Sequence, residues 1–139
     1  MLTTQQLRTM LYNNRGVLRR VPPGWEFPKG TYATVLQHWL IADTANKVAP
    51  MRLFKAHDAN HLQRGTKKLR ELRWLTNQFE AKATALSVPW PDDTVTAVQV
   101  RELYDLLFDS VVSVVPGNNR GLGMLTWQTV HNKIRDAVK

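Results

Sequence analysis

The chain has 139 residues, a net charge of +8 and no cysteine. That length suits one domain with a core of its own. The missing cysteine excludes disulfides, thiolate metal sites and cysteine nucleophiles, and it fits a reducing compartment. The charge is uneven: residues 1–90 hold 14 Lys/Arg against 5 Asp/Glu, and residues 91–139 hold 5 against 6. A split of this kind points to an anionic partner for the first part of the chain, or to simple solubility.

In chain order, Thr3 or Thr4 can cap a short helix ending near Asn14, with Leu7, Met10 and Leu11 on one side. Val17–Lys29 contains Pro22, Pro23 and Pro28, so it reads as an extended connector that Trp25 and Phe27 pin to the core. Arg8, Arg15, Arg19 and Arg20 precede the first acid, Glu26. They suit a basic arm, and their composition also resembles an organellar transit segment. The expected location is intracellular, cytoplasmic or nuclear, with an organelle still open.

Tyr32, Val35, Leu36, Trp39 and Leu40 form a helical stripe over Thr31–Ala42, with Thr31 as cap. A linker follows over Asp43–Ala49, and Pro50 suits the first turn of a short helix, roughly Pro50–His57. The clearest amphipathic pattern is Thr66–Leu86. Leu69, Leu72, Leu75, Thr76, Phe79, Ala83 and Leu86 recur at spacings of three and four, which puts them on one face. Lys67, Arg70 and Arg73 fall on the other side, with Trp74 among them.

Val88-Pro89-Trp90-Pro91 breaks that helix, and Asp92, Asp93 and Thr94 offer a new helix start. Val95, Val98, Leu103, Leu106, Leu107, Val111 and Val114 give the next helix a broad apolar stripe, so it is expected to be the most buried element. Pro116–Gly123 is a turn-rich loop. Leu125–Val138 closes the chain as a helix with Trp127, Val130, Ile134 and Val138 inward. No run is apolar enough to span a membrane without charges inside it, so no membrane partner is expected.

These elements predict an all-α fold: five to six helices in a compact bundle spanning residues 1–139 as one domain. A basic N-terminal lobe, 1–87, holds a three-helix, helix-turn-helix-like succession, and a near-neutral C-terminal helix pair follows over 88–139. The seven-residue linker is longer than the tight turn of a strict helix-turn-helix motif.

Candidate chemistry is sparse. His57 and His61 have the spacing of a zinc pair, but the pattern lacks the glutamate of a metalloprotease helix, and two surface histidines are the plainer reading. The loop Gly117–Gly123 lacks the Lys-Ser or Lys-Thr of a P-loop. Ser87, Ser110 and Ser113 sit in no nucleophile elbow, and no carboxylate pair stands out as acid and base. The chain is therefore expected not to be an enzyme and to need no metal or cofactor.

The basic region is the better lead. Arg52, Lys55, Arg64, Lys67, Arg70 and Arg73 can neutralise phosphates, Trp74 can stack on a base, and Asn77, with Gln78 nearby, can reach base edges. The expected function is a non-enzymatic nucleic-acid-binding module, DNA ahead of RNA. The alternative is a structural or adaptor subunit, or a homo-oligomer, whose Trp- and Arg-rich surfaces meet protein.

Overall fold

The computed structural model describes residues 25–43, 48–55, 58, 62, 64–91, 95–117 and 121–138. The chain is mostly helical, and no strand occurs among the described residues. Four α-helices are present there: α1 (Tyr32–Leu40), α2 (Gly65–Ala85), α3 (Ala97–Val112) and α4 (Trp127–Val138). Two short 3-10 turns, Met51–Leu53 and Leu122–Met124, lie between them. The helix expected near Thr3–Asn14 and the histidine pair His57/His61 lie outside the described residues.

Over Pro50–His57 the structure shows a difference. Among the described residues of that stretch, Met51–Leu53 makes a 3-10 turn and Phe54 is already extended. The segment is held by side chains rather than by helix periodicity: Met51 and Phe54 are buried, and the ring of Trp25 sits 5.3 Å from that of Phe54. Trp25 also packs edge-on to Phe27 at 4.9 Å, so the described end of the connector, residues 25–29, is pinned through the aromatics that the sequence singled out.

The helix ends follow local chemistry. Thr31 precedes α1 without a side-chain cap bond; its hydroxyl lies 3.4 Å from that of Thr34 instead. α3 starts at a capping box built by Thr96, two residues past the expected Thr94. The Gln99 N–H donates to the Thr96 hydroxyl, and the Thr96 N–H donates to the Gln99 side chain. α2 ends when Ser87 turns into the left-handed region at φ 56°. The Val88 N–H then donates back to the Ala83 carbonyl and the Ser87 N–H to the Thr84 carbonyl, closing the last turn before Pro89.

One core joins all four helices. Its centre is a column of rings from three helices: Tyr32 lies 4.7 Å from Phe79, Phe79 stacks at 6.0 Å on Tyr104, and Tyr104 meets Phe108 at 5.1 Å. The helix pairs that approach most closely are α1 with α3, α2 with α3, α2 with α4 and α1 with α4. Each of these pairs crosses the boundary between residues 87 and 88. α4 is further anchored where its first N–H, from Trp127, donates to the carbonyl of Gly30 at 2.9 Å. Gly30 reaches that position with φ 102°, a conformation that glycine adopts without strain.

The broad stripe of α3 is only partly covered. Val100, Leu103, Leu107 and Val111 are buried, but Val98 is 68% exposed and Leu106 58% exposed, so the breadth of the stripe, which predicts the most buried element, is not matched by its coverage. Leu86 and Val138, both expected inward, are also exposed; each stands at the C-terminal end of its helix.

Burial raises the pKa of Tyr32 well above the usual tyrosine range, although the Thr76 hydroxyl 2.7 Å away favours the charged form. Burial also raises that of Tyr104, against the pull of Arg101 and with help from Asp105 and Asp109. Both groups therefore keep their protons in the folded chain to higher pH than in the unfolded one, where tyrosine titrates near about pH 10. Unfolding in alkali releases those protons, so stability is expected to fall as the pH rises past about 10. Tyrosinate absorbance checks this. At pH 11 the folded chain should show fewer than its three tyrosines ionised, and adding denaturant should release the rest. Ionisation of all three near pH 10 without unfolding would contradict the burial.

Candidate nucleic-acid interface

α2 carries the residues that the sequence singles out, and its neighbours divide them between two flanks. On one flank Lys67, Arg70 and Trp74, three and four residues apart, face α4. With Glu71, His131 and Arg135 they line a groove of about 270 Å³. Lys67 and Arg70 are exposed. Trp74 is partly buried, with its ring edge-on to the imidazole of His131 at 5.3 Å. The aromatic on the basic face is explained by α4, which packs against this side of α2.

On the other flank Arg73 turns to the 50–55 segment. Its guanidinium donates to the carbonyl of Phe54 at 3.0 Å and lies over the ring of Trp39, 5.4 Å from the centroid. Arg73 therefore ties α2 to α1 and to the extended segment. Arg73→Ala removes a charge-assisted hydrogen bond and a cation–π contact, and is expected to cost about 1–3 kcal/mol of stability. Thermal and urea unfolding check this; an unchanged midpoint would show the contacts to be idle.

The remaining predicted residues are spread around this frame. Arg52, partly buried, lies in the 3-10 turn on the Arg73 flank, and Lys55, exposed, follows it. The Lys55 backbone N–H donates to the Asp58 carboxylate at 2.7 Å. Arg64 immediately precedes α2, exposed and in the left-handed region at φ 55°. Asn77 is exposed one turn beyond Arg73. The groove thus brings together Lys67, Arg70 and Trp74; Arg73 reaches instead to Phe54, in the segment that carries Arg52 and Lys55, and Arg64 and Asn77 are not among the groove's lining residues.

Three groove residues were not singled out by sequence: Glu71, His131 and Arg135. His131 and Arg135 are four apart on α4 and so share a face, a spacing that carries the signal. His131 is buried. Its Nδ1 is 3.2 Å from Glu71 Oε2 and 3.0 Å from Asn132 Oδ1. Two oxygen acceptors converge on that nitrogen, so Nδ1 bears the proton. Glu71 also lies 3.9 Å from the Lys67 ammonium. Its side chain is only 12% exposed, so the acid forms the floor of a groove rimmed by Lys67, Arg70 and Arg135. Arg135 shares its charge with Asp136 at 3.3 Å.

Two further hollows border the molecule. One, of about 510 Å³, lies between the connector residues 26–30, Lys68 and the first turn of α4. The other, of about 460 Å³, runs between residues 88–91, Val95 just before α3, and the side of α3 that carries Gln99, Glu102 and Leu106. No cluster of three or more metal-ligating side chains occurs among the described residues, and none of the described helices is long and apolar enough to cross a membrane. A scan of family models, a search of curated proteins and a search of solved structures found no match to this chain.

Proposed function

We propose that the protein is a non-enzymatic nucleic-acid-binding module that holds the phosphate backbone along the α2–α4 groove. The observation that carries this reading is the groove itself. Lys67, Arg70 and Arg135 rim it from two helices, and Trp74 offers a partly buried ring beside them. Cations tracking a backbone next to an aromatic surface are what sequence-tolerant binding to single strands uses. Arg64, exposed just before α2, adds positive charge at the start of that helix, while Arg52 and Lys55 lie in the segment on the Arg73 flank, outside the groove. Arg73 serves this reading by positioning α2 rather than by touching phosphate. A partly buried ring suits an unstacked base better than the interior of a duplex, so single strands are the favoured ligand. Fluorescence anisotropy with labelled single-stranded DNA, single-stranded RNA and duplex DNA in low salt tests this. Tighter binding to single strands supports it, and no binding to any of them ends it.

A second reading, an adaptor or structural subunit, has its own observation. Leu106 on α3 is exposed and lines the hollow that Trp90 and its prolines border, and Val98 is exposed on the same helix. Exposed apolar side chains grouped beside a hollow are a common mark of protein contact. Sedimentation across a concentration series tests it. Self-association that Leu106→Lys abolishes would support this reading, and a monomer throughout would remove self-association from it.

A further inference from the structure

An acid on the floor of a cation-rimmed groove is costly if phosphate binding is the groove's whole use, because it repels the ligand. The bland role for Glu71 is to tie α2 to α4 through His131, and that bond occupies one of its oxygens at 3.2 Å. A carboxylate offers about four acceptor sites. Besides His131, Glu71 has the Lys67 ammonium at a loose 3.9 Å, so acceptor capacity remains on the groove side. The space beside it, about 270 Å³, falls just under the roughly 300–1,000 Å³ of small-molecule pockets and is lined by the Trp74 ring. An aromatic side chain and a largely covered acceptor lining the same groove match the stacking face and the hydrogen-bonding edge of a nucleobase.

Resting on the nucleic-acid reading above, we propose that the groove seats one unpaired nucleobase bearing an amino group, stacked against Trp74 with that group donating to Glu71, while Lys67, Arg70 and Arg135 hold the flanking phosphates. Guanine fits best, because its ring N–H and amino group stand side by side as two donors to one carboxylate. Cytosine and adenine each offer an amino donor. Thymine and uracil present a single ring N–H between two carbonyl oxygens, which the carboxylate repels. Acceptance from a base amino group is an established use of Glu in base reading, and unstacked bases expose that edge.

The test compares oligo-dT with the same strand carrying two central guanines, by anisotropy at fixed salt. The guanine strand is expected to bind about tenfold more tightly or better, the discrimination of one good two-donor contact. In Glu71→Gln, where an amide replaces the charge at equal size, the preference should shrink to under about threefold while the salt dependence stays as it was. Equal binding of the two strands by the unaltered protein would overturn the base seat yet leave phosphate binding standing. Failure to bind either strand would overturn both. An undiminished guanine preference in a folded Glu71→Gln chain would also overturn the assignment. Should that variant not fold, adding free guanosine monophosphate or thymidine monophosphate to the unaltered protein decides. A shift of the Trp74 indole resonance with the guanine nucleotide alone supports the seat; equal shifts, or none, overturn it.

Discussion

Phe79→Ala is expected to destabilise the protein by about 3–5 kcal/mol, the range for emptying a buried aromatic site. Phe79 is wholly buried and stands between Tyr32 and Tyr104, so it touches α1 and α3 at once. Its removal loses the transfer energy of the ring and leaves a cavity that three helices would have to close. Two of those helices, α1 and α2, are also tied to each other by the hydrogen bond between Tyr32 and Thr76. Collapse is therefore limited, and the cost should lie in the upper part of the range. Domains of this kind have about 5–15 kcal/mol in hand, so the variant should unfold at a much lower urea concentration. Leu106→Ala, on the exposed side of α3, should change stability by no more than about 0.5 kcal/mol. Equal effects at both positions would show that the ring column is not the centre of the core.

The second large effect concerns binding. Trp74→Leu is expected to weaken single-strand binding by about 1–3 kcal/mol, the loss of one base–aromatic stack, while leaving the salt dependence unchanged. Leucine keeps an apolar contact for His131, so the α2–α4 packing should survive; the thermal midpoint checks that before the titration is read. Duplex binding should change little, since paired bases do not reach the ring. If Trp74 serves only to pack against α4, affinity will be unaltered in a folded variant.

The fold was largely legible in the sequence where apolar spacing is regular. α2 lies within one residue of its expected bounds, because Leu69, Leu72, Leu75, Thr76, Phe79 and Ala83 mark one face without interruption. α1, α3 and α4 are recognisable for the same reason. The 50–55 segment was not legible, since a proline at a permissible first-turn position says nothing about Phe54 leaving the helical path for a contact with Trp25. Which part of α3's broad stripe would be covered was also hidden. Periodicity gives a face, and only the neighbours decide how wide a face they bury.

The candidate site was legible as a set of cations and not as a place. A helical wheel puts Arg73 and Trp74 beside the same basic arc, yet they are neighbours in sequence and project about 100° apart. Segments packing from both sides then draw Arg73 to Phe54 and Trp74 to His131. The contributions of α4 lie more than fifty residues away in sequence, and a single-helix reading cannot reach them. His131 and Arg135 join the site only because α4 is set against α2.

The central claim, that the α2–α4 groove binds phosphates, is tested most directly by the salt dependence of single-strand binding in the unaltered chain and in a Lys67→Ala, Arg70→Ala, Arg135→Ala variant. Each lost phosphate contact should make the log–log slope shallower by about 0.7 on a single strand, so the triple variant should lose about two units of slope together with most of its low-salt affinity. A slope that the three substitutions leave unchanged, in a folded variant, would place the binding surface elsewhere and contradict the account.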